Sequence, residues 1–291
     1  MKFFEINNLP SEDVYKILRK YHKALNSFLD RKKILSGEDI ECINSVLFSE
    51  INNSGGLLNY IDLNVIDDFR SGFSEIEPIY NFIKDNFNED SIIFEIGVHI
   101  GKDTERIKEL TGSNFIYGFE PDPRNIQILN ERNRLSLFEK FYDCALSNLD
   151  GESIFYLSSG HPPEVYKDPD INKEWSASNS LKAPKNHLDI HTWCKFEERL
   201  NVKTLRMDHV CNEIGLNKID LVWMDVQGAE DLVIEGMGEF KNNIRFIYTE
   251  YNNNDLYDGS PTLQRIISSL GEGWTAEAIY QNDVLLKNNN I

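Results

Sequence analysis

Dense apolar runs and segments with apolar residues every three or four positions alternate along most of this chain. Ile92 to Ile96 and Phe115 to Phe119 read as strands, followed by Lys140 to Ala145, Ser153 to Leu157, Ile219 to Asp225 and Arg245 to Glu250. Between them, helices are predicted over Asp103 to Leu110, Pro123 to Arg134, Asp208 to Ile214, Ala229 to Gly236 and Pro261 to Leu270. A further helix, entered from Ser74 with Pro78 in its first turns, precedes the first strand. The last two apolar runs, Thr275 to Tyr280 and Val284 to Lys287, are separated only by Gln281-Asn282-Asp283, which forces an antiparallel hairpin. The pattern predicts an α/β, Rossmann-like fold whose five parallel strands are finished by a reversed hairpin.

Two segments depart from the alternation. Residues 1–73 carry helical spacing, with Val14, Ile17, Leu18, Tyr21 and Leu25 behind a Ser11-Glu12-Asp13 start, and a weaker pattern at Ile40, Ile43, Val46 and Leu47. They predict an N-terminal helical appendage to a main domain at 74–291, with homo-oligomer formation as one use for it. Residues 158–204 hold Pro162-Pro163, Asp168-Pro169 and the polar run Ser176 to Ser180, and read as an irregular excursion rather than an added helix. With Trp175, Trp193, His161, His187 and His191 in it, an acceptor-binding lid is the reading adopted. Asp150-Gly151 reads as a hairpin turn joining Cys144 to Leu149 with Ser153 to Leu157.

The ends of the first two strands carry the candidate chemistry. Ile96 leads into Gly97-Val98-His99-Ile100-Gly101, a strand, glycine turn and helix start, and Phe119 leads into Glu120-Pro121. A carboxylate at Glu120 can accept both hydroxyls of a ribose. Dinucleotides and S-adenosylmethionine both use such an arrangement. The dinucleotide fingerprint is G-x-G-x-x-G, whereas this chain has Gly97-x-x-x-Gly101 with His99 between. Glu95 and Asp103 beside the loop suit a ligand carrying an ammonium and a sulfonium better than two phosphates. An NAD(P)-dependent oxidoreductase and a catalytically silent nucleoside-binding module stay open as alternatives.

Composition narrows the partners. A formal net charge of −18 argues against nucleic acid as a substrate, because such affinity comes from neutralising phosphates with Lys and Arg. No apolar run reaches the roughly 20 residues that span a bilayer. The four cysteines form no C-x-x-C pair and read as reduced thiols, so a cytoplasmic residence is expected.

Three segments, in order, resemble one family: Phe94-Glu95-Ile96-Gly97-Val98-His99-Ile100-Gly101-x-x-Thr104, Phe119-Glu120-Pro121, and Ile219-Asp220-Leu221-Val222-Trp223-Met224-Asp225-Val226-Gln227-Gly228-Ala229-Glu230. They are similar to the F-D-V-G-A-N-x-G-x-x-T, F-E-P and I-D-x-x-K-I-D-V-E-G-x-E segments of the FkbM-type methyltransferases. The resemblance implies a class I methyltransferase fold with a seven-stranded sheet. It also implies S-adenosylmethionine-dependent transfer of a methyl group to a hydroxyl of a sugar, a glycan or a glycosylated small molecule. Carried over, Glu95, Gly97, His99, Gly101 and Thr104 hold the methionine end, Glu120 and Pro121 the ribose, Asp143, Cys144 and Ala145 the adenine, and Asp225 sits near the sulfonium. His99, Trp223, Met224 and Gln227 depart from the family's Asn, Lys, Ile and Glu.

Removing the acceptor's proton has two candidate routes. One is a base, Asp225, His187 or His191; the other is a Mg²⁺ held by Asp225, Glu250 and Asn252 that lowers the hydroxyl pKa.

Overall fold

The strand β1 (Ile92–Ile96) runs through the middle of a seven-stranded sheet, because four of its five residues are buried. Strands covered on both faces read as continuous apolar runs, and this one does. The computed structural model describes residues 77–161, 175–251, 255–280 and 282–291. The expected helices before residue 74 and the expected oligomer surface lie outside these residues, as does Asn252.

In chain order the elements are α1 (Glu77–Asn86), β1, α2 (Lys102–Thr111), β2 (Phe115–Phe119), α3 (Pro123–Glu131), β3 (Lys140–Tyr142), β4 (Ala145–Leu146) and β5 (Gly151–Gly160). There follow α4 (His187–Ile190), β6 (Cys194–Leu205), α5 (Met207–Ile214), β7 (Ile219–Met224), α6 (Glu230–Met237), β8 (Ile244–Glu250), α7 (Leu263–Leu270), β9 (Trp274–Ile279) and β10 (Asp283–Asn288). The main sheet has the order β3-β2-β1-β7-β8-β10-β9. β10 pairs antiparallel with both β8 and β9, as the three-residue link requires.

Apolar side chains cover both faces of that sheet. Ile79 and Ile83 of α1, Phe87 just after it and Ile107 of α2 pack against Ile93, Leu221, Trp223 and Phe246. On the other face, residues of α5, α6 and α7 such as Val210, Ile234 and Ile266 cover Phe94, Val222 and Ile247. The result is three layers, helix, sheet and helix, with β1 and β7 side by side at the point where the strand order reverses. Open α/β sheets bind ligands outside the carboxyl ends of their strands at such a switch point.

The second half of the predicted lid is structured differently from expectation. Asp150 and Gly151 do turn the chain, but β4 and β5 do not pair with each other. β6 lies between them, parallel to β4 and antiparallel to β5, in a three-stranded sheet of order β4-β6-β5. One reason is local: the Asp150 carboxylate accepts from the backbone N–H of Arg206 at 2.7 Å, which ties the turn to the end of β6. The region 194–205, read as irregular, is therefore a twelve-residue strand. Its exposed Lys195, Glu197, Glu198 and Arg199 on an outer sheet hide the alternation.

Among the described residues, no helix is long and apolar enough to cross a membrane. Cys144, Cys194 and Cys211 are free and buried.

Candidate active site

Gly97 takes the chain out of β1 with φ +86°, and a Cβ built there would lie 1.9 Å from the carbonyl oxygen of Asp225. The bare backbone is thus needed for contact with the neighbouring strand's loop rather than only for a ligand. Asp225 N–H in turn donates to the Ile96 carbonyl at 2.9 Å. These contacts seam the ends of β1 and β7 together at the switch point and set Asp225 beside Gly97 in one cleft. Gly101, with φ +78°, caps α2 and is packed against Leu129 and Arg134; it does not line the cleft.

Glu120 ends β2 inside the cleft, and its carboxylate is pinned by three donors. Oε2 accepts from His99 N–H at 2.7 Å; Oε1 accepts from Asp122 N–H at 2.8 Å and from Asn125 Nδ2 at 3.3 Å. Burial pushes its carboxyl up to about 8 in spite of those bonds. His99 has φ +52°, a left-handed backbone that Asn and His adopt more readily than most residues. Its Nε2 lies 2.9 Å from Ser176 Oγ, and Ser176 Oγ donates to Asn125 Oδ1 at 2.9 Å. That order of donors places a proton on His99 Nε2. The polar run after Trp175 is thereby latched onto the loop after β1.

A second set of bonds fixes the same run. Asp122, fully buried, pairs with Arg124 at 2.8 Å and accepts from Asn179 Nδ2 at 2.6 Å, while Arg124 reaches the Ser158 carbonyl at 3.2 Å. Ser176, Ala177 and Asn179 line the cleft as a result.

At the end of β7, Gln227 is the other strained position, with φ +52°. Such outliers cluster at functional sites. Its Nε2 donates to Asp225 Oδ1 at 2.8 Å and to Glu250 Oε2 at 2.9 Å, so one amide bridges two carboxylates. Asp225 lines the cleft, Glu250 stands behind Gln227 outside the lining, and both are half-buried. That burial raises the Asp225 carboxyl to about 6, against the Gln227 hydrogen bond, and raises Glu250 well above the carboxylate range, with Asp225 adding to it. Glu230, expected as a helix-start carboxylate, accepts from Gly228 N–H at 3.0 Å at the start of α6.

Of the other expected residues, Pro121 and Ala145 line the cleft. Asp143 is exposed and Cys144 is packed in the core, so only one of the three residues expected at the adenine reaches it. Glu95 and Thr104 are buried without lining the cleft. Burial, then the neighbouring Asp103, raises the Glu95 carboxyl against hydrogen bonds from Thr104. His187 and His191 also lie away from the lining, in an aromatic cluster with Phe196, Tyr257 and Trp193. Burial lowers His187 to about 4, so it is uncharged at neutral pH.

Sequence reasoning had flagged Asp103 only as a nearby charge, and missed Asn125, Ser176, Asn179 and Gln227 as cleft residues. Among the described residues, no Lys or Arg lines the cleft, while Asp103, Glu120 and Asp225 do. That donor set fits a cation and offers nothing to a pyrophosphate.

The model of the methyltransferase FkbM domain matches residues 95–280. This chain belongs to the FkbM methyltransferase family. The 2-O-methyltransferase NoeI of Sinorhizobium fredii (strain NBRC 101917 / NGR234) is 39% identical over 212 residues, 69% of this chain and 81% of that protein. Among solved structures, the methyltransferase FkbM from Methylobacillus flagellatus KT aligns at 12% identity over 82% of this chain and 65% of its own, with a TM-score of 0.40. An rRNA methylase from Streptococcus thermophilus aligns at 11% identity over 73% and 95%, with a TM-score of 0.38. As an FkbM methyltransferase with the class I sheet order, the chain uses S-adenosylmethionine as methyl donor.

The raised carboxyls of this FkbM methyltransferase have a consequence for stability. Glu120 and Glu230 titrate near 8 and 7 in the folded chain, above the roughly 4.3 of an unfolded Glu. Their contribution is full below that unfolded value and is lost as pH rises through 7 to 8. The ligand-free protein should therefore show a lower Tm at pH 8 than at pH 5 in a thermal-shift series. A Tm that climbs over that interval would mean these acids are ionised throughout.

Proposed function

We propose that this protein is an O-methyltransferase acting on a hydroxyl of a sugar, a glycan or a glycosylated small molecule. The observation that carries the reading is Asp225, a carboxylate in the cleft beside Gly97 whose carboxyl titrates near 6, where a general base is effective. The name of the 39% identical relative, a 2-O-methyltransferase, supports oxygen as the acceptor atom. Trp175, edge to face with Trp193 at 5.1 Å, directly precedes Ser176 and Ala177 of the cleft lining, although neither ring is itself in that lining.

When bound, S-adenosylmethionine supplies an electrophilic methyl group, and its sulfonium sulfur keeps the bonding electron pair as the methyl leaves. Glu120 accepts from the ribose hydroxyls while His99, Asp122 and Asn125 hold it in place. Asp103 and Asp225 face the positive charges of the methionine end. Asp225 takes the acceptor's proton as the new C–O bond forms. The 175–181 segment, latched by His99 and Arg124, closes the cleft and keeps water from the reacting oxygen.

A Mg²⁺ is the second reading, favoured by the convergence of Asp225 and Glu250 on one atom of Gln227. In the arrangement present, that point is filled by amide hydrogens. A cation there would require the amide to turn its oxygen inward and give up both of these hydrogen bonds.

The test is incubation with methyl-labelled S-adenosylmethionine and candidate glycans, with and without EDTA, alongside calorimetric titration with S-adenosylhomocysteine and NAD. Label should enter carbohydrate as an O-methyl group, with turnover surviving EDTA and only the homocysteine ligand binding. Loss of turnover in EDTA, restored by Mg²⁺, would put the metal in place of the base. Label in nucleic acid would overturn the acceptor class, and binding of NAD alone would overturn the whole reading. Binding of neither ligand would leave a silent module.

A further inference from the structure

Asp103 is the cleft carboxylate that the sequence sets beside the loop to suit a cationic ligand, and it is held from an unexpected direction. Tyr80 of α1 donates its hydroxyl proton to Asp103 Oδ1 at 2.6 Å. The Tyr80 ring is itself fixed: it stacks on Trp223 of β7 at 5.9 Å with 12° between the planes, and the Arg106 guanidinium lies over it at 5.6 Å. Trp223 in turn packs on Tyr248 of β8 at 4.2 Å. Tyr80 precedes residue 95, where the family match begins, and Trp223 stands where the family segment carries Lys. At Trp223 the support thus departs from the family's segment.

We propose that Tyr80 is a positioning residue that aims and keeps ionised Asp103, the carboxylate that takes the α-ammonium of the bound cofactor. The inference rests on the reading that S-adenosylmethionine occupies this cleft with its methionine end at the loop after β1. A buried carboxylate without a donor neutralises itself rather than staying charged. Burial raises Asp103, and the two groups that oppose it are the Tyr80 hydroxyl and Lys102 of its own helix. The other titratable groups that feel Asp103 are Glu95 of β1, Asp225 after β7 and Tyr248 of β8, and its charge raises all three. Arg106, over the outer face of Tyr80, is the remaining cation nearby. Of the two groups that favour its charge, the Tyr80 hydroxyl is the stronger, ahead of Lys102.

The experiment is calorimetric titration of S-adenosylhomocysteine, which retains the α-ammonium, into wild type, Tyr80→Phe, Asp103→Asn and the double variant between pH 6 and pH 9. Tyr80→Phe keeps the ring on Trp223 and removes only the donor. Its Kd should rise increasingly as pH falls toward 6, by at most about tenfold per unit added to the carboxyl's pKa, and converge on wild type by pH 9, because the lost donor lets Asp103 protonate. In the Asp103→Asn background, Tyr80→Phe should change nothing further. A loss of affinity constant across pH, or an additive loss in the double variant, would reduce Tyr80 to packing and overturn the proposal. Wild type that fails to bind at any pH would instead remove the cofactor reading beneath it.

Discussion

Gly97→Ala is expected to lower stability by roughly 2–6 kcal/mol and to abolish measurable binding of S-adenosylhomocysteine. Two costs add. A non-glycine residue held at φ +86° carries about 1–3 kcal/mol of backbone strain. The new methyl also meets the Asp225 carbonyl oxygen at 1.9 Å, a contact with backbone that no rotamer can relieve, and overpacking of this kind costs about 1–3 kcal/mol. Relief requires the loops after β1 and β7 to part, which breaks the Asp225 N–H to Ile96 bond and displaces both Asp225 and the His99 N–H that holds Glu120. Chemical denaturation should show the destabilisation, and calorimetry the lost binding, in the same preparation. A folded Gly97→Ala protein with wild-type affinity would mean that the seam between the two strands does not shape the cleft.

How much of this was legible in advance follows from where each signal is stored. The seven-stranded sheet was readable because its central strands are buried on both faces, so Ile92 to Ile96 and Ile219 to Met224 announce themselves by composition alone. Gly97 and Glu120 were readable as well, since each sits at the end of such a strand and its place is set by counting residues. Asn125, Ser176 and Asn179 were not. Their roles depend on hydrogen bonds across sequence separations of 51 and 57 residues, Ser176 to Asn125 and Asn179 to Asp122, and nothing local marks a serine as the partner of a distant amide. β6 was missed for a different reason. Its pairing with β5 exposes much of its length, so charged residues fill positions that a buried strand would give to Val or Ile. Gly97, which the resemblance sets at the methionine end, also leaves its Cβ space to the Asp225 carbonyl, a contact no local pattern marks.

The departures from the family segments show how one site can be rebuilt around the same glycine. His99 keeps the left-handed backbone of that position and adds a ring long enough to reach Ser176. Gln227 also holds a left-handed backbone, and its amide supplies donors to two carboxylates where the family's Glu would add a third acid. Each change adds a hydrogen bond within the cleft, and neither disturbs the seam between β1 and β7.

Gln227 makes the largest catalytic predictions testable as a pair. If Asp225 is the base, Asp225→Asn should lower kcat by about 10² to 10⁴, the range of general-base contributions, while S-adenosylhomocysteine still binds. Gln227→Ala should act through the same carboxylate with an opposite kind of signature. The Gln227 amide opposes the burial that pushes Asp225 up to about 6, so its removal raises that carboxyl further. A base must be deprotonated to work, and activity in the wild type should therefore rise with pH through about 6. In Gln227→Ala that acidic limb should move to higher pH, with the deficit largest in acid and shrinking as pH rises. A pH-rate profile of both variants separates this from simple damage, which would lower the curve without moving it. Should Asp225→Asn retain near-wild-type turnover, the proton goes elsewhere, and His187 and His191, standing behind Tyr257, become the groups to substitute next.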